Sequence, residues 1–282
     1  MQVVHTALEL RAALAGATRT AFVPTMGSLH AGHVSLVEQA KHHGQPVVAS
    51  IFVNPLQFGA GEDFERYPRT LAGDCEKLAA AGCDLVFAPD MTEMYPVPQT
   101  FTVQPPESLA NDLCGAFRPG HFSGVATVVL KLFNLVQPRV AVFGKKDFQQ
   151  LLVIRELVRQ FNLPIDIVAG DTLRETDGLA MSSRNAYLGA TERIQAAQLQ
   201  RELAAIVAAV QAGERDFEAL AATAARHLKM AGWRVDYVAL RDAATLQPPG
   251  PDSARLVVLG AAWLGNTRLI DNLDFAHPAS SQ

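Results

Sequence analysis

Two histidines three residues apart, His30 and His33, flank Gly32 in PTMGSLHAGHVSLV, residues 24–37. The stretch leaves an apolar run, TAFV, turns on Gly27 and Gly32, and enters an amphipathic segment. Imidazoles at the start of a helix can donate hydrogen bonds to a phosphate chain or, when protonated, neutralise charge developing on it. A helix start adds unpaired backbone N–H groups and the positive end of the macrodipole, so the stretch predicts an anion site. A metal pair is the competing chemistry. It needs further ligands, and His42 and His43 follow about two turns later with no H-E-x-x-H pattern. Incidental surface histidines are the bland alternative.

Three other stretches carry suitable groups. FVNPLQF, 52–58, ends an apolar run in Asn-Pro, a turn that places the amides of Asn54 and Gln57 at a strand end. Uncharged amides suit hydroxyl and carbonyl groups of a substrate, though Asn54 alone reads slightly better as a turn cap. FGKKDFQQ, 143–150, offers Lys145 and Lys146 as cations, Asp147 as a ribose acceptor or helix N-cap, and Gln150 one turn on. MSSRNAYL, 181–188, brings Ser182, Ser183 and Arg184, which can wrap a triphosphate; alone it also reads as an ordinary surface loop. Asp74 lies on a helix-like segment, where a carboxylate is usually solvated, but Mg²⁺ needs only one or two carboxylates beside phosphates. RPGHF, 118–122, is compatible with a phosphate-facing group or with a helix start.

Apolar runs at 20–24, 46–53, 84–89, 139–144 and 164–170 read as buried strands that must carry these groups. They alternate with helix-like stretches at 33–43, 69–81, 122–136 and 147–162, the pattern of a parallel sheet covered on both faces. The expectation is an α/β, Rossmann-like doubly wound parallel sheet over residues 1–172, with ligands beyond the carboxyl ends of the strands. From 173 to 282 alanine-rich helices precede three strand candidates, which predicts a smaller C-terminal α+β domain.

Of the 282 residues, 49% are apolar and 18% charged, enough for a proper core, and the net charge of −4 argues against a nucleic-acid binder. Three cysteines without C-x-x-C argue against a disulfide framework or structural zinc, and buried thiols are expected. The N-terminal stretch mixes charge into its apolar positions, unlike a signal peptide, and HFSGVATVVLKLFNLV is interrupted by Lys131 and Asn134, unlike a membrane span. A cytoplasmic location is expected.

In their order, PTMGSLHAGH, FVNPLQF, YPRT, RPGHF, FGKKDFQQL and DGLAMSSRNAYL resemble the pantothenate synthetase family through almost the whole chain. The histidine element and the Met-Ser-Ser-Arg loop are also similar to the two signatures of class I aminoacyl-tRNA synthetases. The resemblance implies an ATP-dependent ligase joining pantoate to β-alanine through a pantoyl-adenylate, with Mg²⁺, in a homodimer. It implies that Met26, Gly27, Ser28, Leu29, His30, Ala31, Gly32 and His33 line the ATP phosphates, with His33 as general acid. Gln57 and Gln150 would hold pantoate with Asn54 nearby. Gly144 and Asp147 would meet the ribose, Lys146 the phosphates and Leu173 the adenine. Met181 to Arg184 would close over the nucleotide from the second domain, which would move as a lid to keep water from the adenylate, and Asp74 would bind magnesium. Lys145 stands in this nucleotide-binding stretch where the family usually carries glutamate, and no role of its own follows. The alternatives are a nucleotidyltransferase acting on a phosphorylated acceptor and a non-catalytic nucleotide sensor. The amides at 54, 57 and 150 make a poor cradle for an acceptor phosphate, and the combination of His33, Lys146 and Arg184 argues against a silent module.

Overall fold

The computed structural model describes residues 1–277. Strands β1 (Gln2–Val4), β2 (Ala21–Thr25), β3 (Val47–Ile51), β4 (Leu85–Phe87), β5 (Val140–Gly144) and β6 (Asp166–Gly170) form one parallel sheet in the order β1-β4-β3-β2-β5-β6. Helices α1 (Ala7–Ala13), α2 (Ala31–Ala40), α3 (Leu71–Ala80), α4 (Met91–Met94), α5 (Glu107–Ala110), α6 (Cys114–Phe117), α7 (His121–Val136) and α8 (Phe148–Gln160) lie between these strands in the chain. Alternate residues of β2 face opposite ways, as the strand's period of two requires. Ala21 and Val23 pack with Val37 of α2 and Leu78 of α3. Phe22 meets Phe133 of α7 edge-on, ring centroids 6.4 Å apart. Helices therefore cover both faces, and this is the expected doubly wound α/β fold.

Beyond β6 come α9 (Ala190–Ala196), α10 (Gln198–Gln211), α11 (Phe217–Met230) and an antiparallel sheet of β7 (Arg234–Asp242), β8 (Arg255–Leu264) and β9 (Thr267–Ala276). Leu203, Ile206 and Val210 of α10 share a core with Leu240, Leu256 and Val258. By their contacts, Met1–Lys145 with Val153–Asp171 form one compact unit, and Lys146–Leu152 with Thr172–Gln282 form the other. Residues 278–282 of that second span lie outside the described residues.

Two details depart from the sequence expectation. The alanine-rich stretch 191–213, which as sequence reads as one helix, is divided between α9 and α10, which meet at Ala197. Strand β1 was not expected, because three residues at a sheet edge are too few to show a period. Cys83 and Cys114 are buried and Cys75 is half-buried; burial pushes the Cys83 thiol up to about 11.

Gly124 of α7 marks a close approach of two backbones. A Cβ there would overlap the Leu56 carbonyl oxygen and stand 2.7 Å from the Gln57 nitrogen. Gly124→Ala is expected to lower stability by about 2 kcal/mol, since backbone must move to relieve the overlap. Gly73→Ala, in open space within α3, is expected to raise it by roughly 0.5–1 kcal/mol. Urea denaturation of both variants checks the pair, and equal effects would contradict the close approach.

Candidate active site

Strand β2 pairs with β3 on one side and β5 on the other, and the chain winds outward from β2 in both directions. The carboxyl ends of β2 and β5 thus flank the point where strand order reverses, the place where open α/β sheets bind ligands. Met26 to His33 follow β2, and Gly144 ends β5.

The residues after β2 form a tightly held loop. Gly27 and Ser28 both adopt left-handed backbone, with φ of 87° and 52°. Leaving the sheet this way exposes a run of N–H groups, and side chains accept nearly all of them. Thr25 Oγ1 accepts from Gly27 N at 3.2 Å. Asp74 Oδ2 accepts from Ser28 N and its Oδ1 from Leu29 N, both at 2.8 Å. His30 is the N-cap of α2, and its Nδ1 accepts from Gly32 N at 3.2 Å. His33 Nδ1 accepts from His30 N at 3.3 Å, closing a capping box made of two imidazoles. The rings lie 4.1 Å apart between centroids, tilted by 43°.

This geometry fixes the tautomer. A ring nitrogen that accepts from backbone N–H carries no hydrogen, so each neutral imidazole holds its hydrogen on Nε2. The helix start is therefore less open to an anion than the sequence implies, because the imidazoles themselves take two of its N–H groups. What the stretch presents instead is a pair of Nε2–H donors. A second proton on His33 would have to sit on Nδ1, against the His30 N–H, so the capped ring suits a donor better than the general acid implied by the resemblance.

Asn54 and Gln57 take different places. Asn54 is buried, and its amide is saturated. It donates to Gln57 Oε1 and to the Gly124 carbonyl, each at 3.1 Å, and accepts from Tyr95 Oη at 2.7 Å and Leu56 N at 3.3 Å. Asn54 thus positions Gln57 and has no bond left for a substrate. Gln57 Nε2 donates to Met26 Sδ at 2.9 Å, which ties the turn after β3 to the loop after β2. The Gln57 carbonyl accepts from His121 Nδ1 at 2.8 Å and Arg118 Nη2 at 3.3 Å. Arg118 also donates to His121 Nε2 at 3.0 Å and grips Glu62 through Nε and Nη2 at 2.8 and 2.6 Å. Burial alone would raise the Glu62 carboxyl, but the Arg118 hydrogen bonds and charge outweigh it and hold it below the ordinary range. Of the two readings of RPGHF the helix start holds, since α7 begins at His121, and Arg118 and His121 buttress Gln57 as well. Tyr95, which burial keeps protonated by pushing its hydroxyl up, has no sequence signal.

Asp74 is fully buried on α3 and also accepts from Thr70 Oγ1 at 3.0 Å. With both oxygens engaged it serves the loop, a different task from the magnesium binding implied by the resemblance. Among the described residues no group of three or more His, Cys, Asp and Glu could hold a metal. Lys145 pairs with Asp171 at 2.7 Å, so the lysine that replaces the usual glutamate has its own partner.

In the second unit, Lys146 and Asp147 lie in a 3-10 turn that leads into α8, where Gln150 sits half-buried. The Leu173 carbonyl accepts from Met181 N at 3.0 Å across a narrow loop. Arg174 pins that loop to β9 through a bidentate pair with Asp271, at 2.7 and 2.9 Å. The next residue, Asn272, donates to the Lys146 carbonyl at 2.8 Å. Ser182 caps the 3-10 turn at Ser183–Tyr187 by accepting from Arg184 N at 3.3 Å. One strand thus fixes both the Lys146 turn and the 173–181 loop. Arg174, Asp271 and Asn272 escaped the sequence reading because the partners lie roughly a hundred residues apart.

A family model described as pantoate-beta-alanine ligase matches residues 2–274. A pantothenate synthetase of Thiobacillus denitrificans is 74% identical over 279 residues, covering 99% of either chain. A pantothenate synthetase structure from Thermus thermophilus superposes with a TM-score of 0.93 at 47% identity, covering 97% of this chain and 99% of that one. A pantoate-beta-alanine ligase from Francisella tularensis, complexed with beta-gamma ATP and beta-alanine, gives a TM-score of 0.81 at 33% identity over 97% of each chain.

The bonds around Asn54 grade two variants. Tyr95→Phe removes one of its two acceptor-side bonds and is expected to cost about 1 kcal/mol of stability. Asn54→Ala strands Tyr95, the Gly124 carbonyl and the Gln57 amide together, and is expected to cost about 3 kcal/mol. Urea denaturation of the singles and the double variant checks this: Tyr95→Phe should cost almost nothing once Asn54 is gone. Additive effects would contradict the direct bond.

Proposed function

This chain belongs to the pantoate-beta-alanine ligase family and is a ligase that joins pantoate to β-alanine to give pantothenate; from that premise we propose that ligation runs through a pantoyl-adenylate. In the first step a pantoate carboxylate oxygen attacks the α-phosphorus of ATP. A new P–O bond forms, the bond to the β-phosphate bridge breaks, and pyrophosphate leaves with the electron pair. In the second step the neutral amine of β-alanine attacks the pantoyl carbonyl. The C–O bond to AMP breaks, AMP departs, and the amine loses a proton to solvent.

The observation that carries this reading is the imidazole capping box at the switch point of the sheet. Two Nε2–H donors held by backbone bonds need no reorganisation when charge builds on the phosphates, which is how a pre-organised site lowers a barrier. Met26 to His33 are assigned to the phosphate chain. Gln57 is assigned to pantoate together with Gln150, and Asn54 contributes by holding Gln57. Gly144 and Asp147 are assigned to the ribose, Lys146 and Arg184 to the phosphates, Leu173 to the adenine, and Met181 to Ser183 to the nucleotide.

Magnesium is the ion the resemblance implies; bound to the nucleotide it would screen phosphate charge. Asp74 does not fit as its protein ligand, since it is fully buried and already accepts from Ser28 N, Leu29 N and Thr70 Oγ1. The chain's own donors and cations would supply the electrostatic help beyond what that ion gives. A homodimer, on the resemblance, and a cytoplasmic location, on the charge-interrupted apolar stretches and the cysteine pattern, complete the reading.

Pantoate-dependent exchange of labelled pyrophosphate into ATP, with β-alanine absent, tests the two-step course. Exchange is expected, and His33→Ala is expected to slow it by about 10²- to 10³-fold, the usual loss for one pre-organised donor. Absence of exchange in a chain that still binds ATP and makes pantothenate would overturn the adenylate.

A further inference from the structure

After two left-handed residues, Gly27 and Ser28, the backbone N–H groups of Ser28 and Leu29 converge on a single carboxylate. The Asp74 carboxylate takes Ser28 N on Oδ2 and Leu29 N on Oδ1, both at 2.8 Å. Thr70 Oγ1 donates to Oδ2 at 3.0 Å. Lys77, one turn along α3, donates to the Leu29 carbonyl at 2.7 Å and lies 3.9 Å from Oδ1. The fit leaves no slack, because a Cβ on Gly27 would stand 3.2 Å from Oδ2 and 3.1 Å from Ile51 Cγ2. A non-glycine residue in left-handed backbone, as at Ser28, persists only where its surroundings over-determine it.

We infer that Asp74 is a positioning residue for the reaction, acting through the 27–29 backbone on His30 and His33, and that it is not a ligand of the nucleotide's metal. Leu29 directly precedes the N-cap of α2. Fixing its N–H and its carbonyl from α3 fixes where the helix starts and so where both imidazoles stand. A metal ligand needs lone pairs aimed outward at the phosphates, whereas this carboxylate is fully buried and directs both oxygens at the loop. The inference deepens the proposed function, and its kinetic part rests on that reading; its structural part does not.

The test uses Asp74→Asn in the full chain, which keeps the volume but turns one acceptor into a donor facing a backbone N–H. Without nucleotide or metal, amide hydrogen exchange at Ser28 and Leu29 is expected to accelerate at least tenfold relative to the parent chain. In the ligation assay the KM for ATP is expected to rise at least tenfold, while the Mg²⁺ concentration giving half-maximal rate at saturating ATP stays within twofold. Unchanged exchange at Ser28 and Leu29 would overturn the inference without touching the proposed function. A tenfold shift in Mg²⁺ requirement would overturn it in favour of a metal ligand. Should Asp74→Asn not fold, Thr70→Val frees Oδ2 from one of its donors; exchange at the same two amides is then expected to accelerate about threefold, and no acceleration would be equally fatal.

Discussion

Buried backbone N–H groups need acceptors, and that demand is concentrated between Thr25 and His33. A strand ends, the backbone turns left-handed twice, and a helix begins. Thr25, Asp74, His33 and His30 accept from residues 27, 28 and 29, 30, and 32 in turn. The identities of these side chains follow from the backbone they satisfy. Glycine stands at 27 because a Cβ would crowd Asp74 and Ile51. Histidine stands at 30 and 33 because one ring can accept through Nδ1 while offering a hydrogen from Nε2 on its far side, which an ionised glutamate in the same cap cannot do and a serine hydroxyl does only from the capping atom itself.

The same logic organises the neighbouring turn. Gln57 is bounded by Asn54, His121 and Arg118, and its amide reaches Met26 of the histidine loop. His121 carries its hydrogen on Nδ1, because Arg118 donates to Nε2. Identical rings thus hold opposite tautomers within one compact unit, each set by the bond its neighbour requires. In the second unit Asp271 and Asn272 on β9 do the corresponding work for the loops at 173–181 and at Lys146.

The strands and the helices flanking them were legible because buried parallel strands read as unbroken apolar runs, TAFV and RVAVFG among them. The placing of the histidines at a strand end was legible for the same reason. Residue type alone misled where it spoke of need without direction. Asn54 and Asp74 are polar groups in the right stretches, yet their hydrogen bonds point inward. The open helix start was misread because propensity does not show that side chains will cap it. Tyr95, Arg174 and Asp271 left no local trace, since each acts on a partner far along the chain.

Everything in this reading depends on two neutral imidazoles that accept through Nδ1 and donate through Nε2. Long-range proton–nitrogen correlation spectra of the histidine side chains, recorded at neutral pH without nucleotide, observe that state directly. The hydrogen is expected on Nε2 of both His30 and His33, with Nδ1 as the unprotonated nitrogen, while His121 shows the reverse. A hydrogen on Nδ1 of either His30 or His33 would break the capping box and contradict the arrangement on which the phosphate site is built.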